Sequence, residues 1–321
     1  MAVEVPVMNF LQQELDDSES EDPHYSVCMK CLRALSKARD IFPESFTCDD
    51  IVTKGKHPID GGGLSDIWEG LMDGKVVCLK VLRLFGMSHT LKKNIFQYLR
   101  REALVWRQLR HENILPFLSV NSSYFEPRHC LISPWMKNGN IVHYLEKNKD
   151  HDRLKCIREI ANAMDFLHSL DPQAVHGDIR GNNILVDDEL CCCLADFGAT
   201  IVVATQVPSR GTMTQSSSYW LAPELEVYDP TSYDQTYLSA RDSYAFGCTI
   251  VEIFTLEPPF YPLYPSSIWN HIRQSKPLPR PPMEISSADS DELWELVQKC
   301  MAMEPKERLS AKDIKLLLVD I

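Results

Sequence analysis

Val175 to Asn183 reads VHGDIRGNN, so a histidine, an aspartate, an arginine and two asparagines fall within nine positions. Side chains of these types either do chemistry together or form the polar network of a turn. Asp178, Gly181, Asn182 and Asn183 are turn formers, and apolar Ala174-Val175 and Ile184-Leu185-Val186 flank them. The local pattern is a loop between two short buried strands. Elsewhere, Asp196 stands alone after an apolar run in LADFG, Lys80 lies inside the strand-like VCLK, and Glu102 falls in a long helical stretch. Trp220-Leu221-Ala222-Pro223-Glu224, then Asp242 and Arg308, complete the chemistry-bearing set.

These residues need elements to hold them. The first sustained strand pattern begins near Ile51 and continues through HPIDGGGLSDIWEGLMDGKVVCLKVLRL. Three glycines separate two β-like runs, and Asp73-Gly74 marks a second hairpin. Leu99, Ala103, Leu104, Trp106 and Leu109 then recur at helical spacing, and Ile114–Val120 and His129–Ser133 read as strands. Beyond Lys137-Asn138-Gly139-Asn140 the pattern turns helical. Ile157, Ile160, Ala161, Met164 and Leu167 mark an amphipathic helix, and Ala240 to Leu256 is apolar on most faces, as in a buried helix. Further helices are expected over 291–303 and 310–319. A small β-rich lobe followed by a larger helical lobe implies a cleft, where ligands favour binding.

The chain has 321 residues, 44% of them hydrophobic, enough for one large core or two lobes. Its net charge of −12, with no basic patch, argues against a nucleic-acid partner. No run approaches the roughly 18 apolar residues of a membrane span. Eleven irregularly spaced cysteines without a signal peptide point to free thiols in an intracellular, cytoplasmic setting. Cys28 and Cys31 form a CxxC with no second ligand pair, so they read as packing residues beside Leu32 and Leu35 on one helix face. Cys191 to Cys193 read as a buried strand. Residues 1–50 form an acidic extension in which Gln12–Pro23 is expected to be mobile and a short helix to run over 26–40.

In this order the motifs resemble those of eukaryotic protein kinases, from about Val52 to the C-terminus. Trp220 with its motif, the Trp135-Met136 pair and Cys300 ahead of Glu304-Pro305 are similar to the tyrosine-kinase-like group, and HGDIRGNN to kinases of fungal type. The resemblance implies an α+β, two-lobed protein kinase fold, with a small lobe over 52–134 and a large lobe over 137–321. It implies ATP and Mg2+ as cofactors and a protein as substrate. Ile59, Asp60, Gly61, Gly62, Gly63 and Ile67 correspond to the glycine-rich hairpin that approaches the phosphates. Lys80 matches the lysine on the α and β phosphates, and Glu102 its partner. An edge lysine guarding a strand is the plain alternative, against which the apolar run Val76–Leu82 argues. Asp178 matches the aspartate that orients the substrate hydroxyl, with Arg180 beside it. Asn183 and Asp196, oxygen ligands suited to a hard cation, match the magnesium ligands. His176 reads as a packed structural residue. Ser133 aligns as the gatekeeper residue. Pro134 then offers adenine a carbonyl, and Met136 an amide and a carbonyl; a proline there loses no needed N–H. Phe197, Gly198, Ser217, Glu224 and Arg308 fall in or brace the activation segment, with Glu224 and Arg308 as a buried ion pair.

Three departures bear on activity. Asp60 and Ser65 stand where the family has glycines, which implies weakened ATP affinity. Gly177 replaces the arginine that pairs with an activation-loop phosphate, which implies activity without that switch at Ser216, Ser217 or Ser218. Arg180 stands for the lysine of Ser/Thr kinases and keeps charge but not geometry. Ser217 aligns with the Ser/Thr-kinase threonine and the tyrosine-kinase proline is missing, so Ser/Thr substrates are expected before tyrosine. The alternative is a pseudokinase acting as a nucleotide-binding or scaffold module. A small-molecule kinase fits less well, because the Ala222-Pro223-Glu224 segment resembles a peptide platform. Lys276–Pro282 (KPLPRPP) reads as a rigid inter-helix loop.

Overall fold

The computed structural model describes residues 3–18, 23–62, 65–83, 88–126, 128–202, 218–225, 237–274, 276 and 278–321. The chain divides into two compact units. One comprises Met1–Arg110 and Leu115–Met136, the other His111–Ile114 and Lys137–Ile321.

The first unit begins with helices α1 (Glu4–Asp17) and α2 (Pro23–Arg39), which pack on each other. Met8, Gln12 and Leu15 are buried at helical spacing, so Gln12–Asp17 is ordered helix rather than the mobile segment expected. The acidic residues around them hide that short apolar stripe. In α2 the buried face is Tyr25, Met29, Leu32 and Ser36. Cys28 is only half-buried and Cys31 is exposed, which corrects the packing role expected for Cys31.

Six antiparallel strands follow: β1 (Ile51–Thr53), β2 (Asp60–Gly62), β3 (Ser65–Met72), β4 (Lys75–Leu82), β5 (Ser119–Asn121) and β6 (Cys130–Pro134). Their order is β1-β3-β4-β6-β5, with β2 also on β3. Asp73 and Gly74 both have positive φ, as a two-residue hairpin turn requires. Val77, Leu79 and Val81 alternate into a core with Ile51, Phe125, Cys130 and Ile132. The alternation leaves Cys78 and Lys80 on the other face. Helix α3 (His89–Trp106) carries Glu102. The strand expected over Ile114–Val120 shrinks to Ser119–Asn121. Pro116 has no N–H to pair, and the Trp106 indole takes the Leu115 carbonyl at 2.6 Å.

The second unit is mostly helical: α4 (Ile141–Lys147), α5 (Arg153–Ser169), α6 (Ala240–Thr255), α7 (Pro265–Arg273), α8 (Ser287–Cys300) and α9 (Ala311–Leu317). Side chains of Asn140, Asp152, Ser286 and Ser310 cap α4, α5, α8 and α9 by accepting an amide of the first turn. Helix α5 buries Ile157, Ile160, Ala161, Met164 and Leu167. Every residue of α6 from Arg241 to Ile253 is buried, making it the axis of the unit. Two small antiparallel ladders lie on this frame, β7 (Ala174–Val175) with β10 (Ile201–Val202) and β8 (Ile184–Val186) with β9 (Cys192–Leu194). Cys192 and Cys193 are buried in β9, as expected, while Cys191 is half-buried. The proline-rich run lies between α7 and α8, where Arg280 bonds Asp291 and Ser290 at 2.6 Å each. Among the described residues no helix is long and apolar enough to cross a membrane.

Candidate active site

The first unit contributes the lysine and the glycine-rich hairpin. Lys80 Nζ lies 2.9 Å from Glu102 Oε1, joining β4 to α3. Register pairs Lys80 with Ile67 across β3–β4 and Ile67 with Asp60 across β2–β3. Cross-strand partners share a face, so Asp60 sits on the Lys80 side of the sheet. Its Oδ1 accepts the Gly61 amide at 2.7 Å, occupying a donor that the hairpin otherwise offers to an anion. A Cβ at Gly61 would meet Arg83 Nη2 at 2.0 Å, so a side chain there would displace the Arg83 guanidinium, which is paired with Asp66 at 2.6 Å. Ser133, buried on β6, pairs in register with Cys78, and Pro134 pairs with Val77. Ser133 Oγ makes a long contact of 3.4 Å to the Pro134 carbonyl. Met136 ends this unit. Gly62 ends β2, Ile59 is exposed just before it, and Gly63 lies outside the described residues.

The second unit holds the polar loop between β7 and β8, the position expected from its flanking strands. Asn183 Nδ2 donates to the Asp178 backbone carbonyl at 2.8 Å and to its Oδ2 at 2.9 Å. Both bonds use the amide nitrogen, and neither occupies the Asn183 Oδ1. Arg180 Nε is 3.3 Å from Asp178 Oδ1, yet without hydrogen-bond alignment, so the contact is one of charge proximity. The guanidinium also lies 5.9 Å over the Trp220 ring. The Ala195 amide donates to the Asn183 carbonyl at 2.8 Å, which brings the ends of the β8–β9 hairpin together. Asp196 follows at once, in a left-handed conformation (φ 65°), with Oδ1 3.5 Å from the Gly198 amide. Phe197 is buried edge-on against His176. His176 is fully buried and bonds the Ala195 carbonyl and the Asp178 amide, which fits the structural role expected of it.

Helix α6 fastens this loop from within. The amides of His176 and Gly177 donate to Asp242 at 2.7 and 2.8 Å, and His168 Nε2 lies 2.9 Å away. Burial alone would raise the Asp242 carboxyl, but the His168 bond, the two histidines and the Gly177 amide outweigh it and hold the group below its ordinary value. Further along α6, Thr249 Oγ1 reaches the Ile179 carbonyl at 3.3 Å. Glu252 Oε2 accepts the Gly181 amide at 2.7 Å and the Trp220 indole at 3.0 Å. Burial pushes the Glu252 carboxyl up to about 7, against those two bonds and the charge of Arg180. The positioning by Thr249 and Glu252 was not read from the sequence. A glutamate inside so apolar a helix is the one signal that marks it. Gly177 has φ +83°, and a Cβ there would meet the Ala199 carbonyl at 2.9 Å. Glycine therefore meets a backbone requirement at the position where an arginine was expected.

Arg308 and Glu224 form a two-pronged ion pair at 2.8 and 2.7 Å, with the arginine side chain fully buried. Ser217 lies outside the described residues. Among the described residues no cluster of three or more histidines, cysteines and carboxylates could hold a metal ion. Asn183 and Asp196 carry oxygen donors, the chemistry a hard cation such as Mg2+ takes together with substrate phosphates.

Residues 51–318 match the family model described as protein tyrosine and serine/threonine kinase. The chain belongs to the protein kinase family. It is 27% identical over 264 residues to a probable serine/threonine-protein kinase drkC of Dictyostelium discoideum, covering 81% of this chain and 33% of that protein. It is 26% identical over 262 residues to the serine/threonine/tyrosine-protein kinase HT1 of Arabidopsis thaliana, 80% of this chain and 63% of that one. Against the mitogen-activated protein kinase kinase kinase A of D. discoideum it is 28% identical over 262 residues, 79% and 26%. The chain spans less than two thirds of the length of each of these relatives. The antiparallel sheet with α3 beside it and the helical second unit agree with the kinase fold expected from the motifs.

Proposed function

We propose that this protein transfers the γ-phosphate of Mg-ATP to serine and threonine hydroxyls of protein substrates, with tyrosine a lesser target. In this reading residues 52–321 are the kinase domain, with lobes over 52–134 and 137–321, and residues 1–50 are an extension. The observation that carries it is Asp178, held by the Asn183 amide on a loop anchored to α6. Asp178 accepts the proton of the substrate hydroxyl and orients it, a role that needs position more than strength. Arg180 steadies the charge beside it. Lys80, aligned by Glu102, holds the α and β phosphates. Ile59 and Ile67 flank the base, Ser133 leaves room behind it, and the Pro134 carbonyl and Met136 backbone read its edge. Asn183 and Asp196 would hold Mg2+, which when bound neutralises charge on the transferring phosphates. Phe197, Gly198 and the Glu224–Arg308 pair brace the activation segment.

Trp220 and the Trp135-Met136 pair favour the tyrosine-kinase-like group, and HGDIRGNN the fungal type. The relative HT1 is named as a kinase for serine, threonine and tyrosine. Alignment of Ser217 and the missing proline favour Ser/Thr here. All eleven cysteines are free, which supports an intracellular site of action. A second reading, a nucleotide-binding or scaffold module, is favoured by one observation: the Asp60 carboxylate sits on the Gly61 amide.

The test is phosphate transfer from Mg-ATP to the protein and to mixed Ser, Thr and Tyr peptides, beside Asp178→Asn. Transfer abolished by the substitution supports a kinase and reveals its preferred hydroxyl. No transfer from either protein, with thermal stabilisation by Mg-ATP, moves the function to the scaffold reading.

A further inference from the structure

The amino-terminal helices grip α3 and the turn that leaves it. Arg100 is buried in α3, and its guanidinium is ion-paired with Asp40, just past the end of α2. In the turn that leaves α3, Arg107 Nη2 lies 3.2 Å from Asp16 Oδ2 of α1, and Arg110 pairs with the other oxygen of Asp16. Between them, Gln108 Nε2 donates to buried Gln12 at 2.9 Å. Arg100 and Glu102 are two residues apart, about 200° around a helix, so the Asp40 contact faces away from Lys80. Met8, Leu15, Met29 and Leu32 are buried with it, so the helices are part of the unit's core rather than an appended tail.

We propose that α1 and α2 are a positioning element for the Lys80–Glu102 pair: Asp40 clamps α3 from behind, Asp16 fixes the turn that leaves it, and together they hold Glu102 against the lysine. Glu102 ties α3 to the sheet, beside the Phe96–His129 ring contact and the Trp106 bond to the Leu115 carbonyl. The ion pairs of Asp40 with Arg100 and of Asp16 with Arg107 and Arg110 add to that hold and limit how far the helix can turn or slide. Asp16 and Asp40 touch no reacting group; they act through α3. The effect on phosphate transfer rests on the function proposed above.

The test uses the full chain carrying Asp16→Asn with Asp40→Asn, near-isosteric changes that keep the buried apolar contacts. A second variant, Asp16→Glu with Asp40→Glu, keeps the charges. Amide hydrogen exchange over 95–106 is read in each, together with kcat and the KM values for Mg-ATP and for peptide. The neutral variant is expected to exchange faster in α3 while α5 and α6 stay protected. Its kcat/KM for Mg-ATP is expected to fall about tenfold with the peptide KM unchanged, and the acidic variant to recover most of that. Unchanged exchange in α3 overturns the clamp. Faster exchange with unchanged ATP kinetics overturns its positioning role. If the unsubstituted chain transfers no phosphate, the kinase reading fails, and the exchange arm decides the clamp by itself.

Discussion

Glu224→Ala tests the energetics of the second unit. All five guanidinium N–H groups of Arg308 are engaged. Two go to Glu224, and the others to the carbonyls of Ala240, Ala302 and Met303 at 3.1, 2.8 and 3.2 Å. Its carbon also lies 5.1 Å over the Tyr244 ring. Removing one partner of a buried pair costs about 3–5 kcal/mol, because the remaining charge has no counter-ion. The three carbonyls and the ring still solvate Arg308, and Glu224 is partly exposed, which puts the effect near the lower end, about 3 kcal/mol. For a unit of this size that corresponds to a Tm lower by about 6–12 °C. Thermal and urea unfolding of the full chain measure it, with the m-value unchanged if only stability is affected. Adding Arg308→Met removes the stranded charge, so the double variant is expected to regain part of the loss. A single variant within about 1 °C of the parent, or a double variant no better than the single, would refute the account.

Three further outcomes are expected. Asp60→Gly frees the Gly61 amide and removes a negative charge from the Lys80 face. About 1–2 kcal/mol is at stake, so calorimetry is expected to show Mg-ATP binding about 5–30 times tighter, and equal or weaker binding counts against the site. Gly177→Ala forces a side chain into a left-handed residue against the Ala199 carbonyl; a loss of about 1–2 kcal/mol is expected in urea, and an unchanged midpoint argues against strain there. Glu252→Gln probes a carboxyl raised from 4.5 to about 7. Below 4.5 the group is protonated in the folded and unfolded chains and costs nothing. As pH rises from there to about 7 the unfolded chain ionises first, so the fold loses stability, on the order of 3 kcal/mol once pH exceeds both values. Both Glu252 bonds fall on Oε2, so glutamine can keep them, and the variant is expected to gain stability over the parent across that window. Parallel pH profiles would rule the shift out.

The order of motifs was legible because each is local. Turn chemistry in VHGDIRGNN, alternation in β4 and the all-round apolar α6 are written in neighbouring residues. The fold class followed from them, as did the strands flanking the polar loop. Other features were misread for physical reasons. Acidic residues around Met8, Gln12 and Leu15 made a folded helix look like a solvated linker. A cysteine pair looked like packing because Cys31 has the right chemistry but stands on the outer face of α2. Pro116 and the Trp106 indole cut short a run that is apolar enough for a strand.

By itself the sequence determined which side chains the protein can use, and the local frame of strand, turn or helix on which each is carried. It did not determine the partners, because those are separated by long stretches of chain. Only the tertiary structure decided that Asp242 and Glu252 hold opposite ends of the polar loop, and that Asp60 covers the amide of its neighbour. The same holds for the contacts of Asp40 with α3 and of Asp16 with the turn that leaves it. A carboxylate's role depends on what its burial leaves it to bond, and burial is a property of the packed chain rather than of any segment.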